Sequence, residues 1–438
     1  MKKIIFALII IFSIKSFAQT KTYTLDESIK LGIENSKTLK ISNAKLAIAS
    51  AKVTEIKSQR FPKLSFNAAY MRLSDVPPFE ISTSFFPTPI RIQEAVLNTY
   101  NFKLSLQQPI FKGFKLSSLN SAADYNLEST KLDYSKDINE EAFKIISAFW
   151  NIYKAENANK IIDENLKSLE SHIKDAKSFL ENDLITRNDL LKIKVQYSTV
   201  QLKKVEVENA LEIAKALFNK TLGNGISDEV NIEAEELILN SYKDNFNDLL
   251  IEAKSNRLEL ESVSKRILAG KEQLSASKSG WYPSIFLISD FYYSRPNQRI
   301  FPQKDQFDDT WDVGVSLSWD ICNWGYNSSQ SQQAQSNLVQ LETGRQQIEE
   351  AIEIEVYNTF LNLEAAKKKV ELSKQTLEQA EENYRITNDK FLVQLVNTTD
   401  LLDAETSVYN AKTDLLNALV DYELSRKRLD KAIGGKLY

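Results

Sequence analysis

All nine prolines of this 438-residue chain fall in two windows, Pro62 to Pro109 and Pro283 to Pro302. Residues 114–222 hold neither proline nor glycine, and residues 326–433 hold no proline and a single glycine, Gly344. Proline and glycine are the strongest helix breakers. The chain therefore alternates two very long helical zones with two zones that break helices.

The alternation reflects a duplication. A shift of 211 residues lays Leu104 and Leu106 on Val315 and Leu317, Ile110 on Ile321, Asp189 on Asp400 and Gly223 on Gly434. Nearer the N-terminus the shift is 221, and Asn35, Leu39 and Pro62 meet Asn256, Leu260 and Pro283. Each copy reads as helix, strand, strand, long helix and shorter return helix. The expected divisions are a signal peptide (1–18), a first repeat (19–225), a linker (226–245), a second repeat (246–435) and a short tail (436–438).

The long helices carry heptads. Leu363, Val370, Leu377, Tyr384 and Phe391 stand seven apart, with Ala366, Ser373, Ala380 and Thr387 three residues after the first four. Copy one keeps the register with Ile145, Ile152, Asn159, Leu166, Ile173 and Leu180, and the return helix has Leu401, Val408, Leu415, Tyr422 and Leu429. Large residues alternating with small ones interdigitate as in a coiled coil. A helix of roughly 65 residues runs about 100 Å, more than a globular core requires.

The proline-bearing zones alternate with period two. In KLSFNAAYMR (63–72), YNFKLSLQ (100–107) and WDVGVSLSWD (311–320), apolar residues occupy every second position; SIFLISDFYY (284–293) alternates less cleanly. Such segments are strands with one apolar and one polar face, long enough to cross a bilayer at a tilt. Aromatics gather at their ends, at Phe61, Phe111, Phe114, Trp281, Tyr282 and Trp324, where a membrane girdle would sit. Four strands cannot close a barrel, and a bilayer tolerates no open edge. Several chains must contribute. Two would give eight strands with a filled interior; a wider pore favours three.

Export is read from the N-terminus. Lys2 and Lys3 precede the apolar run Ile4 to Ile14, and Ser16-Phe17-Ala18 forms a small-residue cleavage pattern, so cleavage is expected after Ala18. Losing Lys2, Lys3 and Lys15 lowers the 55 basic residues to 52 against 59 acidic ones, a net charge of −7. That balance gives no support to nucleic-acid binding. One cysteine, Cys322, makes no intrachain disulfide. One histidine, His172, expected to face solvent beside the heptad position Ile173, assembles neither a conventional zinc site nor a hydrolase triad. No phosphate-cradling glycine loop is present, and paired carboxylates lack a substrate cleft. No enzyme activity, cofactor or metal is expected.

The stretch TDLLDAETSVYNAKTDLLNALVDYELSRKRLDKAIG (399–434) resembles the return helix of TolC-like outer-membrane efflux proteins, and LSLQQPIFKGFK (104–115) resembles that family's second strand entering its long helix. The resemblance spans nearly the whole mature chain. It implies a mostly α fold with a membrane β-barrel. Each of three identical chains would give four strands to a twelve-stranded barrel in outer-membrane lipid, and coiled-coil hairpins would form a helical barrel in the periplasm. Such a homotrimer is a passive exit duct for efflux or type I secretion, served by a periplasmic adaptor and an inner-membrane pump. A heavy-metal efflux duct is the alternative within the family, and a soluble periplasmic coiled-coil adaptor the alternative outside it.

The resemblance makes 74–98 and 294–310 external loops. It makes turns 181–188 and 392–399 periplasmic tips for adaptor contact, through Asp183, Leu184, Ile185, Thr186, Gln394, Leu395, Val396 and Asn397. Leu184, Ile185, Leu395 and Val396 are expected to be exposed there. The family often has a glycine-leucine step at these tips, absent here. By the residues alone, Asn397 suits an N-cap with Asp400 at N3, and Thr186 with Asp189 repeats the spacing. Asp403 has Lys192 as its counterpart, so no shared capping role explains it. In the family the matching aspartates point into the narrowed pore, which makes Asp400 and Asp403 two stacked rings of three carboxylates. Phe391 and Val396 occupy positions where a tyrosine and an arginine serve as locks, leaving Asp189 without those partners.

Overall fold

The computed structural model describes residues 21–438 except Phe86, Glu94, Glu236, Ile238 and residues 240–244. The expected signal peptide and its cut after Ala18 lie outside the described residues. The chain is mostly helical, and its parts gather into two compact units that cut across the two copies.

The first unit takes residues up to Ser42, Tyr134–Leu258 and Glu349–Tyr438. Its N-terminal strand β1 (Lys21–Tyr23) leads into α1 (Leu25–Asn35), and α2 (Lys37–Ser58) begins here. The long α3 (Lys115–Glu181) returns through α4 (Arg187–Leu222), followed by β6 (Val230–Ile232), α5 (Phe246–Asn256) and the start of α6 (Leu258–Ser277). The second hairpin is α7 (Tyr326–Leu392) with α8 (Thr398–Ala432). The heptad positions Ile145, Ile152, Leu363, Val370, Phe391, Leu401, Tyr422 and Leu429 are all buried. Phe149, Phe218, Leu222 and Val420 join Tyr23 and Val230 in one core. Strand β1 pairs in parallel with β6, Lys21 opposite Val230. Neither strand was expected, because three residues carry no readable period.

The two copies repeat one glycine–asparagine contact. Helix α4 ends at Gly223 and α8 runs out at Gly434, both left-handed, with φ of 80° and 82°. A Cβ on Gly223 would lie 2.7 Å from Asn35, and one on Gly434 would lie 2.7 Å from Asn256. The residues packed against these glycines, Asn35 and Asn256, are the last of α1 and α5, just before the helix breaks at Ser36 and Arg257. Asn35 donates its side-chain amide to the Leu222 carbonyl (2.8 Å), and Arg257 donates its guanidinium to the Ala432 carbonyl (3.0 Å). Carbonyls left over at a helix end thus find side-chain donors.

The second unit takes Asn43–Asp133 and Glu259–Ile348. It holds β2 (Lys63–Arg72), the short pair β3 (Phe79–Ile81) and β4 (Ile90–Gln93), β5 (Asn98–Lys112), β7 (Ser284–Arg295) and β8 (Asp308–Ser318). The short pair lies in the segment expected to be a loop. The four longer strands form one antiparallel sheet in the order β2-β5-β7-β8. Its centre, β5 against β7, joins the two copies, and β2 and β8 are its edges.

Alanine at Gly223 or Gly434 adds a Cβ against its asparagine and forces φ > 0 on a residue that resists it. Each substitution is expected to cost about 1 kcal/mol or more, read as a lowered midpoint in thermal unfolding of the purified protein.

Candidate functional site

Both hairpins turn in the same way. Leu184 N–H reaches the Phe179 carbonyl (2.9 Å) and Asp183 N–H the Leu180 carbonyl (3.1 Å). In copy two Leu395 N–H reaches Lys390 (2.8 Å) and Gln394 N–H reaches Phe391 (2.9 Å). This paired bonding is the Schellman helix ending, which needs a left-handed residue. Asp183 (φ 57°) and Gln394 (φ 64°) supply it. The turn is thus made without the glycine expected from the resemblance.

The return helices then start on capping boxes. Thr186 accepts from Asp189 N–H (3.2 Å) and donates its hydroxyl to the Asp189 carboxylate (2.6 Å), which holds that carboxyl below its usual pKa range. Asn397 accepts from Asp400 N–H (3.0 Å). Asp189 keeps Lys192 at 3.8 Å, and Lys192 donates to the Thr399 hydroxyl at 3.2 Å, tying the two tips together. Phe391 is buried edge-on against Phe179, with ring centroids 5.9 Å apart, rather than serving as a polar lock. Of the four apolar tip residues, Leu184 and Leu395 are exposed, whereas Ile185 and Val396 are half-buried. The expectation that all four are exposed is corrected, since Ile185 packs into the coiled-coil core of Leu190 and Ile193.

Asp400 and Asp403 are both exposed, three residues apart, with Ser407, Asn410 and Asp414 continuing the exposed stripe along α8. Helix α4 keeps exposed polar residues at the matching positions, Lys192, Thr199 and Lys203 among them, and adds an apolar stripe. Its exposed side carries Val195, Leu202 (71% exposed), Val205, Ile213 and Leu217. Of the two return helices, only α4 exposes large apolar side chains.

His172 does not face solvent. It is 5% exposed, with its ring nitrogen 3.0 Å from the Tyr384 hydroxyl and 3.7 Å from the carboxylate of Glu405, itself 5% exposed. Burial pushes Glu405 up to about 7 and His172 down. Counting heptads on α3 alone missed this. The readable signal was Glu405 itself, one turn after buried Leu401 on the inward stripe of α8.

On the sheet of the second unit the apolar row is exposed. Phe66, Leu104, Trp311 (70% exposed), Val313, Val315 (71% exposed) and Leu317 all stand in the open. The other face is polar, with Lys103 2.9 Å from Asp290 and, from the loop after β7, Arg299 2.5 Å from Asp312 and over the Tyr292 ring. Sequence reasoning missed these pairs: Lys103 meets Asp290 only through the β5–β7 register, and Arg299 reaches Asp312 only through the path of its loop. The aromatics expected to form a girdle stand beside strand ends at one end of the sheet, where Phe61, Phe114, Trp281, Tyr282 and Trp324 are exposed. Phe111, half-buried, packs against Phe114 at 5.2 Å. Among the described residues no helix is long and apolar enough to cross a membrane, and no acid–histidine–cysteine cluster could hold a metal.

Comparison with known proteins agrees with this geometry. The family model described as outer membrane efflux protein matches residues 29–224 and 249–435. Outer membrane protein TolC of Escherichia coli (strain K12) is 24% identical over 350 residues, covering 77% of this chain and 70% of that protein. The TolC of Vibrio cholerae serotype O1 is 21% identical over 297 residues, covering 66% and 67%. Among solved structures, the Campylobacter jejuni CmeC outer membrane channel superposes with a TM-score of 0.78 at 15% identity, over 94% of this chain and 86% of its own. The open state of the Neisseria gonorrhoeae MtrE outer membrane channel gives 0.73 at 16% identity, over 94% and 89%.

Glycine at Asp183 or Gln394 relieves the left-handed strain that a side chain brings there. Gln394→Gly is expected to stabilise the protein by about 1 kcal/mol, whereas Thr186→Ala, which empties a capping box, costs about 1 kcal/mol. Denaturant midpoints of the two variants should move in opposite directions.

Proposed function

Because the chain belongs to the outer membrane efflux protein family, we propose that three copies close a twelve-stranded barrel in the outer membrane and extend a helical duct into the periplasm. A passive exit duct does no covalent chemistry, so the protein is not an enzyme. The observation that carries the reading is the open-edged sheet whose apolar face stands exposed. Burying one large apolar side chain is worth about 1.5–3 kcal/mol, so a row of them needs lipid. The unpaired edges β2 and β8 need strands from neighbouring copies.

The contrast between the return helices supports an orientation. The polar stripe of α8 suits a water-filled lumen, and the apolar stripe of α4 suits a neighbouring copy. On this reading Asp400 and Asp403 form two carboxylate rings at the periplasmic mouth. Lys192, bonded across to Thr399, belongs to the hairpin that packs behind. Exposed Leu184 and Leu395 are the proposed anchors for an adaptor at tips 181–188 and 392–399, in a pump whose energy comes from the inner membrane. The repeats 19–225 and 246–435, joined by 226–245, supply equivalent parts to one duct, and cleavage after Ala18 releases the exported chain.

Purified protein in planar bilayers is expected to give discrete channels. Replacing Asp400 and Asp403 together with alanine should raise single-channel conductance and weaken the preference for cations that converging carboxylates impose. Asp189→Ala should leave both unchanged and cost only a cap. Conductance altered by Asp189→Ala and untouched by the Asp400/Asp403 pair would reverse the two hairpins. An absence of channels would contradict the duct.

A further inference from the structure

Within the first unit, α3, α7 and α8 enclose a polar cluster that the duct reading does not use. Ser168 and His172 of α3 meet Tyr384 of α7: Ser168 Oγ lies 3.0 Å from the Tyr384 hydroxyl, and His172 Nε2 lies 3.0 Å from the same oxygen. Glu405 of α8 completes the group. Asn165 donates to its Oε1 at 3.4 Å, while its Oε2 is buried with no hydrogen-bond partner. A buried carboxylate oxygen without a donor is costly when charged and tolerable when protonated. A cavity of about 140 Å³ lined by Asn165, Ser168, Tyr384, Glu405 and Lys412 lies beside it. That volume admits water, and with it protons.

We propose that the His172–Tyr384–Glu405 cluster is a proton-operated latch between the two hairpins, holding α8 against α3 in a mildly acidic window and loosening it when the surroundings turn alkaline. The latch adds regulation to the proposed duct but rests on contacts within one protomer.

The charges around the cluster do not neutralise Glu405. On α3, Asp175 acts on His172, and Glu164 is occupied by Lys412 of α8 at 3.1 Å. On α7, Tyr384 is the titratable group in contact, and neighbouring Arg385 is paired with Glu382 and Asp389. On α4, Gln196 bonds Thr406, and Lys203 sits over the Tyr409 ring at 5.3 Å.

The sign follows from burial. Glu405 has a folded pKa above its ordinary value, so its contribution is present at low pH and lost as pH rises through about 7. His172 has a folded pKa below its ordinary value, so its contribution is present above that ordinary value and lost as pH falls through the lowered one. Between them the cluster holds neutral glutamic acid beside neutral imidazole. Above the window one proton leaves per protomer, and a bare carboxylate remains in the seam.

The test uses the purified full-length protein in detergent and needs no transport. Infrared difference spectra between about pH 6 and about pH 8 should show loss of one buried protonated-carboxyl band. Glu405→Gln should lack that band. The thermal midpoint should fall over the same interval in the wild type, whereas in the variant only the His172 contribution remains and the midpoint should not fall. A wild type without the band change, a change that survives Glu405→Gln, or a midpoint with equal pH dependence in both overturns the latch. The wild-type spectra are decisive even if Glu405→Gln fails to fold. Tyr384→Phe, which removes the hydroxyl beside His172, then serves for assignment: a displaced titration is expected, and an undisplaced one overturns the proposal. A level spectrum in a protein that still conducts refutes the latch and leaves the duct standing, whereas a titrating band in a protein that forms no channels does the reverse.

Discussion

A sheet with an apolar outer face and two unpaired edges is incomplete as a single chain. Each strand end carries backbone groups that must be bonded before lipid can surround them. The central pairing of β5 with β7 spends the one internal opportunity for closure on joining the two copies, and β2 and β8 are left outward. Everything else follows from that shortage. On the proposed function the strands take neighbours from other copies, and those copies bring their helical hairpins with them.

The duplication gives each chain two hairpins of the same build and then lets them differ where they face different surroundings. Both end in the same turn, start on the same kind of cap and close against a glycine–asparagine contact. Their exposed faces have diverged: both carry polar residues, and α4 adds a stripe of large apolar ones. Asp403 and Lys192 are the sharpest instance. Neither is needed for the helix, so each reports what lies opposite. Lys192 finds Thr399, whereas Asp403 is left open to solvent.

Long-period signals were legible in the sequence. The heptads placed the buried stripe, proline and glycine placed the hairpins, and period-two alternation placed all four long strands, with β2 at the expected residues. The duplication aligned Gly223 with Gly434 and Asn35 with Asn256, but that each glycine packs against its copy's asparagine is visible only in the structure. What escaped was whatever depends on a distant partner. The strands of β1 and β6 are three residues each and exist only because they find one another. The helix breaks at Ser36 and Arg257 carry neither proline nor glycine. His172 sits next to a heptad position on its own helix, yet Tyr384 and Glu405 from two other helices bury it. Ile185 and Val396 looked exposed as turn residues, but both are half-buried, and Ile185 packs against the coiled-coil core.

Closure of the sheet by other copies is tested most directly at its edges. With exposed Cys322 changed to serine, cysteine pairs can be scanned with one member on β2 and the other on β8, and oxidised in intact cells. The account predicts that some register gives covalent dimers and trimers and nothing larger, because three copies close the ring. Monomers alone at every register, or an open ladder of higher polymers, would contradict it.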